Sequence, residues 1–435
     1  MAMYADDWYG IVCYILNNNK MIMSVATPFS KFTFPSGLTI KNRLVKASME
    51  ENMSDDGLLP SDGLIHLYEQ WAQGGAGLLL TGNVMVDHAA MTGPGGVALE
   101  KDTPLARFVE WAAAAKQDDC KVWMQINHPG RQVYANMQGK VLAPSAVALN
   151  MGKLSKLFGQ PSAMTEIEIE DVITRFGDTA EQAQAAGFDG VEIHAAHGYL
   201  LAQFLSPLVN QRSDQWGGNI ANRARLLLAI VTEVKRRTRA DFGVGVKLNS
   251  ADFQRGGFAE DDALAVIKVL ESSGIDMVEL SGGSYEAPAM QGMTADGRTL
   301  AREAYFLEFA GQIAAQTSLP IMTTGGIRRL PVAEQVLNNG VELVGLATAL
   351  AMTPDLPKRW LTEPDFVAPY PAISWRNKTL QALATMAMIK RNLQRIGQGK
   401  KPLASLSGWW SLLCDQRRKR RLTKRYVRYL GSVGK

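Results

Sequence analysis

A repeated alternation of short apolar runs with longer amphipathic segments constrains the fold of this 435-residue chain more than any other feature. Short apolar runs bounded by turn residues predict buried strands, and apolar residues at three- and four-residue spacing predict helices. Eight strand–helix pairs of this kind follow one another after Arg43. A doubly wound sheet would usually have fewer strands and a Gly-x-Gly-x-x-Gly motif after the first strand, which this sequence lacks. The pattern therefore predicts an α/β fold, the (β/α)8 TIM barrel.

The same pattern places the individual elements. The predicted strands are Leu44–Met49, Gly77–Thr81, Lys121–Asn127, Gly190–His194, Gly243–Asn249, Met277–Leu280, Ile321–Thr324 and Leu343–Leu346. The predicted helices are Leu64–Gln73, Thr103–Lys116, Glu168–Ala186, Asn222–Arg237, Glu260–Ser273, Glu303–Gln316, Pro331–Asn338 and Asp355–Leu361. Two short strands around a Pro-Ser-Gly turn predict an N-terminal β-hairpin over residues 32–40 that closes the lower mouth of the barrel. A long connection, residues 128–167, leaves the upper, C-terminal end, where barrel enzymes hold their active sites.

Charge is distributed unevenly along the chain. Residues 366–435 hold 16 of the 46 Lys and Arg residues but one of the 42 Asp and Glu residues. This segment therefore has a net charge of +15, and the rest of the chain has −11. We divide the chain into a flexible leader (1–27), a barrel (28–364) and a basic, mostly helical C-terminal extension (365–435).

The extension has three candidate partners. Residues 375–396 predict a helix, and the adjacent Trp409 and Trp410 precede a dense cationic run at 417–421. Such a segment packs on the acidic barrel of its own subunit or of a neighbour in a homo-oligomer. Contact with an anionic membrane surface is the second alternative, because tryptophan beside cations suits that surface. Nucleic acid is the least favoured partner.

Cysteine content and hydropathy exclude several classes of protein. Cys13, Cys120 and Cys414 lie far apart and form no motif for a metal ion, an iron–sulfur cluster or a disulfide framework. No segment is apolar over the roughly 18 residues needed to span a bilayer. A short apolar run at 11–16 lacks the basic segment that precedes it in a secretion signal. The sequence predicts a cytoplasmic protein, peripheral at a membrane if the extension binds one, with no metal site.

The densest group of chemically active side chains follows the fourth predicted strand. His194 ends that strand, and His197 and Tyr199 lie in the turn beyond it. Paired imidazole N–H groups can hold a carbonyl oxygen and stabilise negative charge on it, while a phenol can deliver a proton. Two other interpretations stay open. One is a pair of core histidines, and the other is a zinc site, although no third ligand stands at a recognisable spacing.

The run from Glu192 to Arg225 resembles a known family. It contains His194-x-x-His197-x-Tyr199, followed in order by Leu-Ser-Pro, Asn-x-Arg-x-Asp, Trp-Gly-Gly and Asn-Arg. This order is similar to that of the old yellow enzyme family of FMN-dependent ene-reductases, in its short form without an iron–sulfur cluster. Other matching segments are Asn42–Arg43, Gln125, residues 128–131, residues 143–145 and Gly325–Gly326. The resemblance covers residues 28–365.

The resemblance implies an FMN bound noncovalently across the upper mouth of the barrel, with NADH or NADPH as the electron donor. On the matching positions, Gln125 would hydrogen-bond the pyrimidine edge of the flavin, and Lys247 would place a cation near its N1 and O2 atoms. Gly325 and Gly326 would bring backbone N–H groups close to the phosphate. The other positions implied to border FMN are Ala47, Ser48, Met49, Asn83, Ala347 and Thr348.

Three positions depart from the family pattern. Lys247 stands where the family usually has Arg, and it supplies the charge without the planar guanidinium. Ala347–Thr348 stands where the family commonly has Gly-Arg, so a neutral hydroxyl replaces a group that would make charge-assisted hydrogen bonds to the phosphate. Glu50 follows the flavin-bordering segment where some relatives have Cys. An ionised, inward-pointing Glu50 would lower the redox potential of the flavin, and the alternative is a solvent-facing acid.

The activity implied by the resemblance is reduction of an α,β-unsaturated carbonyl compound, a small-molecule enone. His194 and His197 would hold its carbonyl oxygen, hydride would reach its β-carbon, and Tyr199 would protonate its α-carbon. Two other functions stay open. One is a non-flavin barrel lyase or isomerase with Lys247 as the Schiff-base residue. The other is a protein that associates with a membrane surface and has reduced catalysis.

Overall fold

The computed structural model describes residues 26–288, 303–304, 306–371 and 373–433. The predicted leader, 1–27, lies outside this range except for its last two residues. The strands are β1 Phe32–Thr33, β2 Thr39–Ile40, β3 Leu44–Lys46, β4 Leu78–Leu80, β5 Val84–Met85, β6 Val97–Ala98, β7 Lys121–Asn127, β8 Leu142–Ala143, β9 Ser162–Ala163, β10 Gly190–Ala195, β11 Gly243–Asn249, β12 Met277–Ser281, β13 Ile321–Thr323 and β14 Leu343–Leu346. The helices are α1 Asp62–Gln73, α2 Ala106–Ala115, α3 Glu166–Ala185, α4 Leu200–Leu205, α5 Ile220–Arg223, α6 Arg225–Arg237, α7 Glu260–Leu270, α8 Leu307–Ala314, α9 Leu330–Asn338, α10 Thr348–Met352, α11 Leu356–Thr362, α12 Lys378–Ile396 and α13 Gly408–Val433.

Eight parallel strands form a closed barrel. Their order around the ring is β3, β4, β7, β10, β11, β12, β13 and β14, and β14 pairs again with β3. Helices lie between successive strands, because each strand has an apolar outer surface that only an amphipathic helix can cover. The predicted (β/α)8 barrel is confirmed, together with the β1–β2 hairpin and a helical C-terminal extension formed by α12 and α13.

The predicted element boundaries differ from the structure mainly near the upper mouth. The first predicted strand ends at Lys46 instead of Met49, because residues 47–49 leave the sheet and line a cavity. The predicted helix over 222–237 is interrupted at Ala224, which separates α5 from α6. The predicted helix over 303–316 is shorter, Leu307–Ala314. The long connection, 128–167, contains the small β8–β9 pair.

The lower part of the barrel interior is filled by Trp123. A Cβ atom on Gly243 would lie 2.2 Å from its indole ring, and one on Gly190 would lie 2.7 Å from it. Only glycine therefore leaves room for this ring between β10 and β11. From below, the hairpin contributes Phe34, whose ring centroid is 4.9 Å from that of Trp123. Together they close the lower end of the barrel, as predicted for the hairpin.

The C-terminal extension packs on its own barrel. Ile389, Leu393 and Ile396 of α12 are buried in the same apolar cluster as the barrel helices. Tyr426 of α13 donates its hydroxyl hydrogen to the backbone oxygen of His88 at 2.8 Å. The packing interpretation of the extension is therefore supported by its own contacts.

A membrane surface and nucleic acid stay predictions as partners of the extension. Trp409 and Trp410 are 63% and 49% exposed, and Arg417, Arg420 and Arg421 of the cationic run beyond them are exposed, while Arg418 and Lys419 are partly buried. No helix in the described ranges combines the length and the apolar character needed to cross a bilayer.

A buried lysine in β3 gives a stability prediction. The Nζ atom of Lys46 is 3.1 Å from Glu51 Oε1 and 3.0 Å from the hydroxyl of Tyr68. The Lys46→Ala substitution would leave the Glu51 carboxylate buried without its cation, so we expect a loss of about 3–5 kcal/mol in the free energy of unfolding. Urea denaturation measures this loss. Lys41→Ala is the control, since the Lys41–Asp118 pair is partly exposed and should contribute less than about 1 kcal/mol. Equal losses in the two variants would contradict the prediction.

Candidate active site

One cavity of about 360 Å³ lies at the carboxyl ends of the barrel strands. All thirteen residues that the sequence singled out line it. They are Ala47, Ser48, Met49, Asn83, Gln125, His194, His197, Tyr199, Lys247, Gly325, Gly326, Ala347 and Thr348. They come from segments up to 301 positions apart in the chain, between Ala47 and Thr348, and the closed barrel brings their strand ends to the same mouth.

The two histidines and the tyrosine form a compact cluster after β10. The ring centroid of His194 is 4.9 Å from that of His197 and 4.9 Å from that of Tyr199. The Nδ1 atom of His194 accepts a hydrogen bond from the backbone N–H of Ala196 at 3.2 Å. In a neutral imidazole that accepts at Nδ1, the proton lies on Nε2. His194 can therefore act as a hydrogen-bond donor through Nε2.

His197 is held by contacts on both its backbone and its ring. Its φ angle is 59°, in the left-handed region, and its backbone N–H donates to Asn249 Oδ1 at 3.1 Å. Its Nε2 atom is 2.7 Å from the hydroxyl of Ser281, which ends β12. A side chain fixed in this way loses little entropy when a ligand binds to it.

Burial sets the protonation states of this cluster. It lowers the pKa of His194 and that of His197 well below the usual imidazole value, and the nearby Lys247 cation lowers both further. Burial also raises the pKa of Tyr199, and the Glu50 carboxylate adds to this rise. Near neutral pH the cluster therefore consists of two neutral imidazoles and a protonated phenol. Among the described residues, no third His, Cys, Asp or Glu joins the histidine pair at the spacing of a metal site.

The hydroxyl of Tyr199 has a second tyrosine beside it. The Tyr285 hydroxyl lies 3.1 Å away, and both residues line the cavity. Ser281 and Tyr285 were missed in the sequence, although they lie in a Ser-Gly-Gly-Ser-Tyr segment directly after a barrel strand. That position is a signal for a functional residue in this fold.

Lys247 of β11 lies in a buried network of acids. Its Nζ atom is 2.6 Å from Glu279 Oε1 on the neighbouring strand β12. On β10, Glu192 accepts a hydrogen bond from Gln125 Nε2 at 2.6 Å. Burial and the Glu279 carboxylate raise the pKa of Glu192 well above its usual value. The Nζ atom of Lys247 is therefore engaged by a carboxylate, and this contact leaves it poorly placed to attack a carbonyl carbon as a Schiff-base residue.

Glu50 lines the cavity and is ionised. Its Oε1 atom accepts from the Thr92 hydroxyl at 2.7 Å, and its Oε2 atom lies 3.6 Å from Lys390 Nζ. Burial opposes the ionisation of Glu50, but Lys390 and the hydrogen bond from Thr92 outweigh it and lower its pKa. Of the two alternatives predicted from the sequence, the inward-pointing acid is the one that the structure has.

The glycine pair after β13 has the backbone conformation that a close approach requires. Gly325 and Gly326 have φ angles of 133° and 72°, which side chains other than glycine's rarely allow. Thr348 begins the short helix α10 on the next strand–helix connection. The hydroxyl of Thr348 is its one polar side-chain group in the cavity lining. It stands at the position where the sequence resemblance implies an Arg.

One face of α12 forms a wall of the same cavity. The residues on this face recur at three- and four-residue spacing, and they are Lys378, Gln381, Ala382, Thr385, Met386, Ile389, Lys390 and Leu393. The sequence placed every candidate binding residue in the barrel and none in the extension. The missed residues had no local signal, because their spacing is that of any amphipathic helix.

Comparison with known proteins identifies the family of the chain. Residues 29–363 match the family model described as the NADH:flavin oxidoreductase / NADH oxidase family. The chain is 37% identical over 380 residues to the NADH-dependent flavin oxidoreductase iliE of Neonectria sp. (strain DH2), a match that covers 82% of this chain and 50% of that protein. It is also 37% identical over 329 residues to the NADH-dependent flavin oxidoreductase nadA of Aspergillus parasiticus, with 72% of this chain and 74% of that protein covered. The chain thus spans half the length of the first of these relatives.

A solved structure shares the fold. The old yellow enzyme homologue from Zymomonas mobilis superposes with a TM-score of 0.67 over 78% of this chain and 94% of that chain, at 22% sequence identity. The match of the family model covers most of the chain, and the resemblance to old yellow enzymes that the sequence motifs carry is confirmed. The chain belongs to the NADH:flavin oxidoreductase / NADH oxidase family, with FMN and a reduced nicotinamide dinucleotide as its cofactors.

Proposed function

We propose that this protein is an FMN-dependent oxidoreductase that uses NADH or NADPH to reduce α,β-unsaturated carbonyl compounds. The proposal rests on one observation. His194, His197 and Tyr199 line the same cavity as Lys247 and the Gly325–Gly326 pair. This reaction requires hydrogen-bond donors for a carbonyl oxygen, a protonated phenol and a buried cation. It also requires backbone N–H groups that can donate hydrogen bonds to the phosphate of the cofactor.

The residues present fit FMN. The Oδ1 atom of Asn83, in the cavity lining, is buried and has no hydrogen-bond partner among the described residues. A buried acceptor without a donor is costly, and a bound ligand with N–H groups would satisfy it. Gln125 and Lys247 offer donors to a polar ring edge, and the positive φ angles of the glycine pair leave its N–H groups open to a phosphate.

A bound FMN would supply hydride transfer between the nicotinamide and the substrate. The protein residues position that substrate and supply its proton. The Nε2–H group of His194 donates to the carbonyl oxygen, and the ring of His197, fixed by Ser281, faces the same cavity. Negative charge that develops on this oxygen is thereby stabilised. The hydroxyl of Tyr199 delivers the proton to the α-carbon, and the hydroxyl of Tyr285 remains hydrogen-bonded beside it.

NADH is the donor to test first. Two similar proteins, iliE and nadA, are described as NADH-dependent flavin oxidoreductases. We extend this preference to the present chain as part of the proposal. The full-length protein is loaded with FMN, and NADH or NADPH oxidation is followed by absorbance with and without cyclohexenone, while product formation is measured by chromatography.

The outcomes of this experiment separate the levels of the proposal. An enone-dependent rise in NADH oxidation with formation of the saturated ketone supports it. Flavin binding with NADH oxidation but no ketone product would leave a flavin oxidoreductase and overturn the enone-reducing step. A chain that binds no flavin would overturn the whole proposal and would favour the lyase or isomerase alternative with Lys247.

The rate of enone reduction is expected to change little with pH. Both imidazoles have a pKa well below the usual 6.5 or so, and Tyr199 has one above about 10, so none of the three titrates between about pH 6 and 9. Stopped-flow absorbance of the reduced protein mixed with enone measures this step alone. We expect less than about a threefold change over that range. An inflection near pH 6.5 would contradict the neutral imidazoles.

A further inference from the structure

Three lysines line the cavity, and they differ in their partners. Lys247 is held by a buried glutamate at 2.6 Å, and Lys390 lies 3.6 Å from Glu50. Lys378, at the first position of α12, donates to Gln381 Oε1 at 3.3 Å. It has no ion-pair partner within the ranges that the structure describes. The cavity therefore has two neutralised cations and one cation that is available to a ligand.

The chain reaches α12 from the side of the glycine pair. The backbone N–H of Ala368 donates to the backbone oxygen of Arg328 at 3.0 Å, and Arg328 Nη1 donates back to the oxygen of Ala368 at 3.2 Å. Arg328 lies two positions after Gly326. Tyr370, two positions after Ala368, already lines the cavity, and α12 begins soon after it. The segment that leads into α12 therefore passes the residues that follow the glycine pair, and Lys378 lines the same cavity as Gly325 and Gly326.

The other end of α12 packs beside the segment that follows β3, which lies two strands from β13 in the ring. Lys390 donates to Asn52 Oδ1 at 2.6 Å, and Leu393 is buried in the core cluster that contains residues of α1. The first turn of α12 contains Lys378 and carries the positive end of the helix dipole, which would favour an anion bound in this part of the cavity.

The other cations near the glycine pair already have partners. Arg329 Nε is 2.9 Å from Glu303 Oε1, and a guanidinium nitrogen of Arg328 is 3.6 Å from the same carboxylate. Neither arginine is among the cavity-lining residues of the described structure. Thr348, which begins α10 and lines the cavity, adds a hydroxyl but no charge. A dianionic phosphate beside the glycine pair would thus meet backbone N–H groups, the hydroxyls of Thr324 and Thr348, and Lys378, which has no ion-pair partner in the described ranges.

We propose that Lys378, a residue of the C-terminal extension, supplies the cation that binds the phosphate of FMN. The inference rests on the proposed flavin function and goes beyond it, because it makes the extension part of the cofactor site.

The test compares FMN with riboflavin, which has the same ring system without the phosphate. Full-length protein freed of flavin is titrated with each compound, and the quenching of flavin fluorescence gives the dissociation constants. Because the Lys378→Ala variant cannot make a charge-assisted hydrogen bond to the phosphate, it should bind FMN about 10- to 100-fold more weakly than the wild type. The affinity for riboflavin should change less than about threefold, and increasing salt should weaken FMN binding to the wild type more steeply than to the variant.

Two further variants separate charge from structure. Lys378→Arg keeps a cation and should bind FMN within about threefold of the wild type. Lys400→Ala is the matched control, since Lys400 is also an exposed lysine hydrogen-bonded to a nearby glutamine, Gln398, but does not line the cavity. It should bind both flavins as the wild type does. The melting temperature of each flavin-free variant verifies that the fold is retained.

The inference and the proposed function fail in different ways. Unchanged FMN binding by Lys378→Ala overturns the inference alone. An equal loss of FMN and riboflavin binding also overturns it, because it would indicate that Lys378 contacts the flavin ring system and not the phosphate. A wild-type chain that binds neither flavin overturns the proposed function, and the inference with it.

Discussion

Replacing Tyr199 by phenylalanine is expected to slow enone reduction by about 10²- to 10⁴-fold, the usual contribution of a positioned proton donor. Reduction of the flavin by NADH should remain within a few fold of the wild type, because that half of the reaction needs no proton from the phenol. Burial removes Tyr199 from bulk water, so solvent protons are a poor substitute for its hydroxyl. Stopped-flow absorbance of the two half-reactions measures them separately.

Tyr285→Phe is the matched control for this substitution. Its hydroxyl lies 3.1 Å from that of Tyr199, so its removal takes away a neighbour of the proton donor and leaves the donor itself. We expect an effect of about tenfold or less on enone reduction, typical of the removal of one hydrogen bond. If Tyr199→Phe slowed both half-reactions equally, or if Tyr285→Phe had the larger effect on enone reduction, Tyr199 would not be the donor.

A chain that ends at residue 365 is expected to lose its stable fold and its flavin. Ile389, Leu393 and Ile396 are buried in the core cluster of the barrel, and Tyr426 and Leu430 of α13 are buried in a second apolar cluster with barrel residues. Loss of one large apolar side chain from a core costs about 2–5 kcal/mol. A typical domain has about 5–15 kcal/mol of stability in total. Circular dichroism during thermal melting and retention of FMN on gel filtration measure the outcome.

Two substitutions in α12 test the same dependence without truncation. Leu393→Ala removes a buried side chain that also lines the cavity, and we expect it to cost about 2–5 kcal/mol. Leu383→Ala, at an exposed position of the same helix, should stay within about 0.5 kcal/mol of the wild type. A truncated chain that melts at the wild-type temperature and retains FMN would contradict the structural role of the extension.

The barrel could be predicted from the sequence because its signals are local. Each strand is a short apolar run, and Lys121–Asn127 and Gly243–Asn249 have the predicted bounds. The cluster of two histidines and a tyrosine could be predicted because His194, His197 and Tyr199 stand within six residues of one another. Boundaries were wrong where the chain turns from the sheet into the cavity, as at residues 47–49, because that change depends on what the strand end faces.

The part of the site that escaped prediction depends on contacts between distant positions. Asn52 and Lys390 are 338 positions apart, and nothing near either residue indicates that they meet. The prediction that 365–435 forms its own unit rests on the charge asymmetry, which does not indicate where the helices of this segment pack. The face of α12 that lines the cavity could not be recognised in the sequence, because a helix face that contacts a cavity has the same residue spacing as one that contacts a core.

The indole of Trp123 and the ring of Phe34 have a consequence for how a cofactor is exchanged. They close the barrel from below, so a flavin enters and leaves only through the mouth that α12 crosses. Because α12 forms one wall of that mouth, local opening of the docked helix would widen the path, and the residence time of a bound flavin would depend on the packing of α12 as well as on the flavin's own contacts.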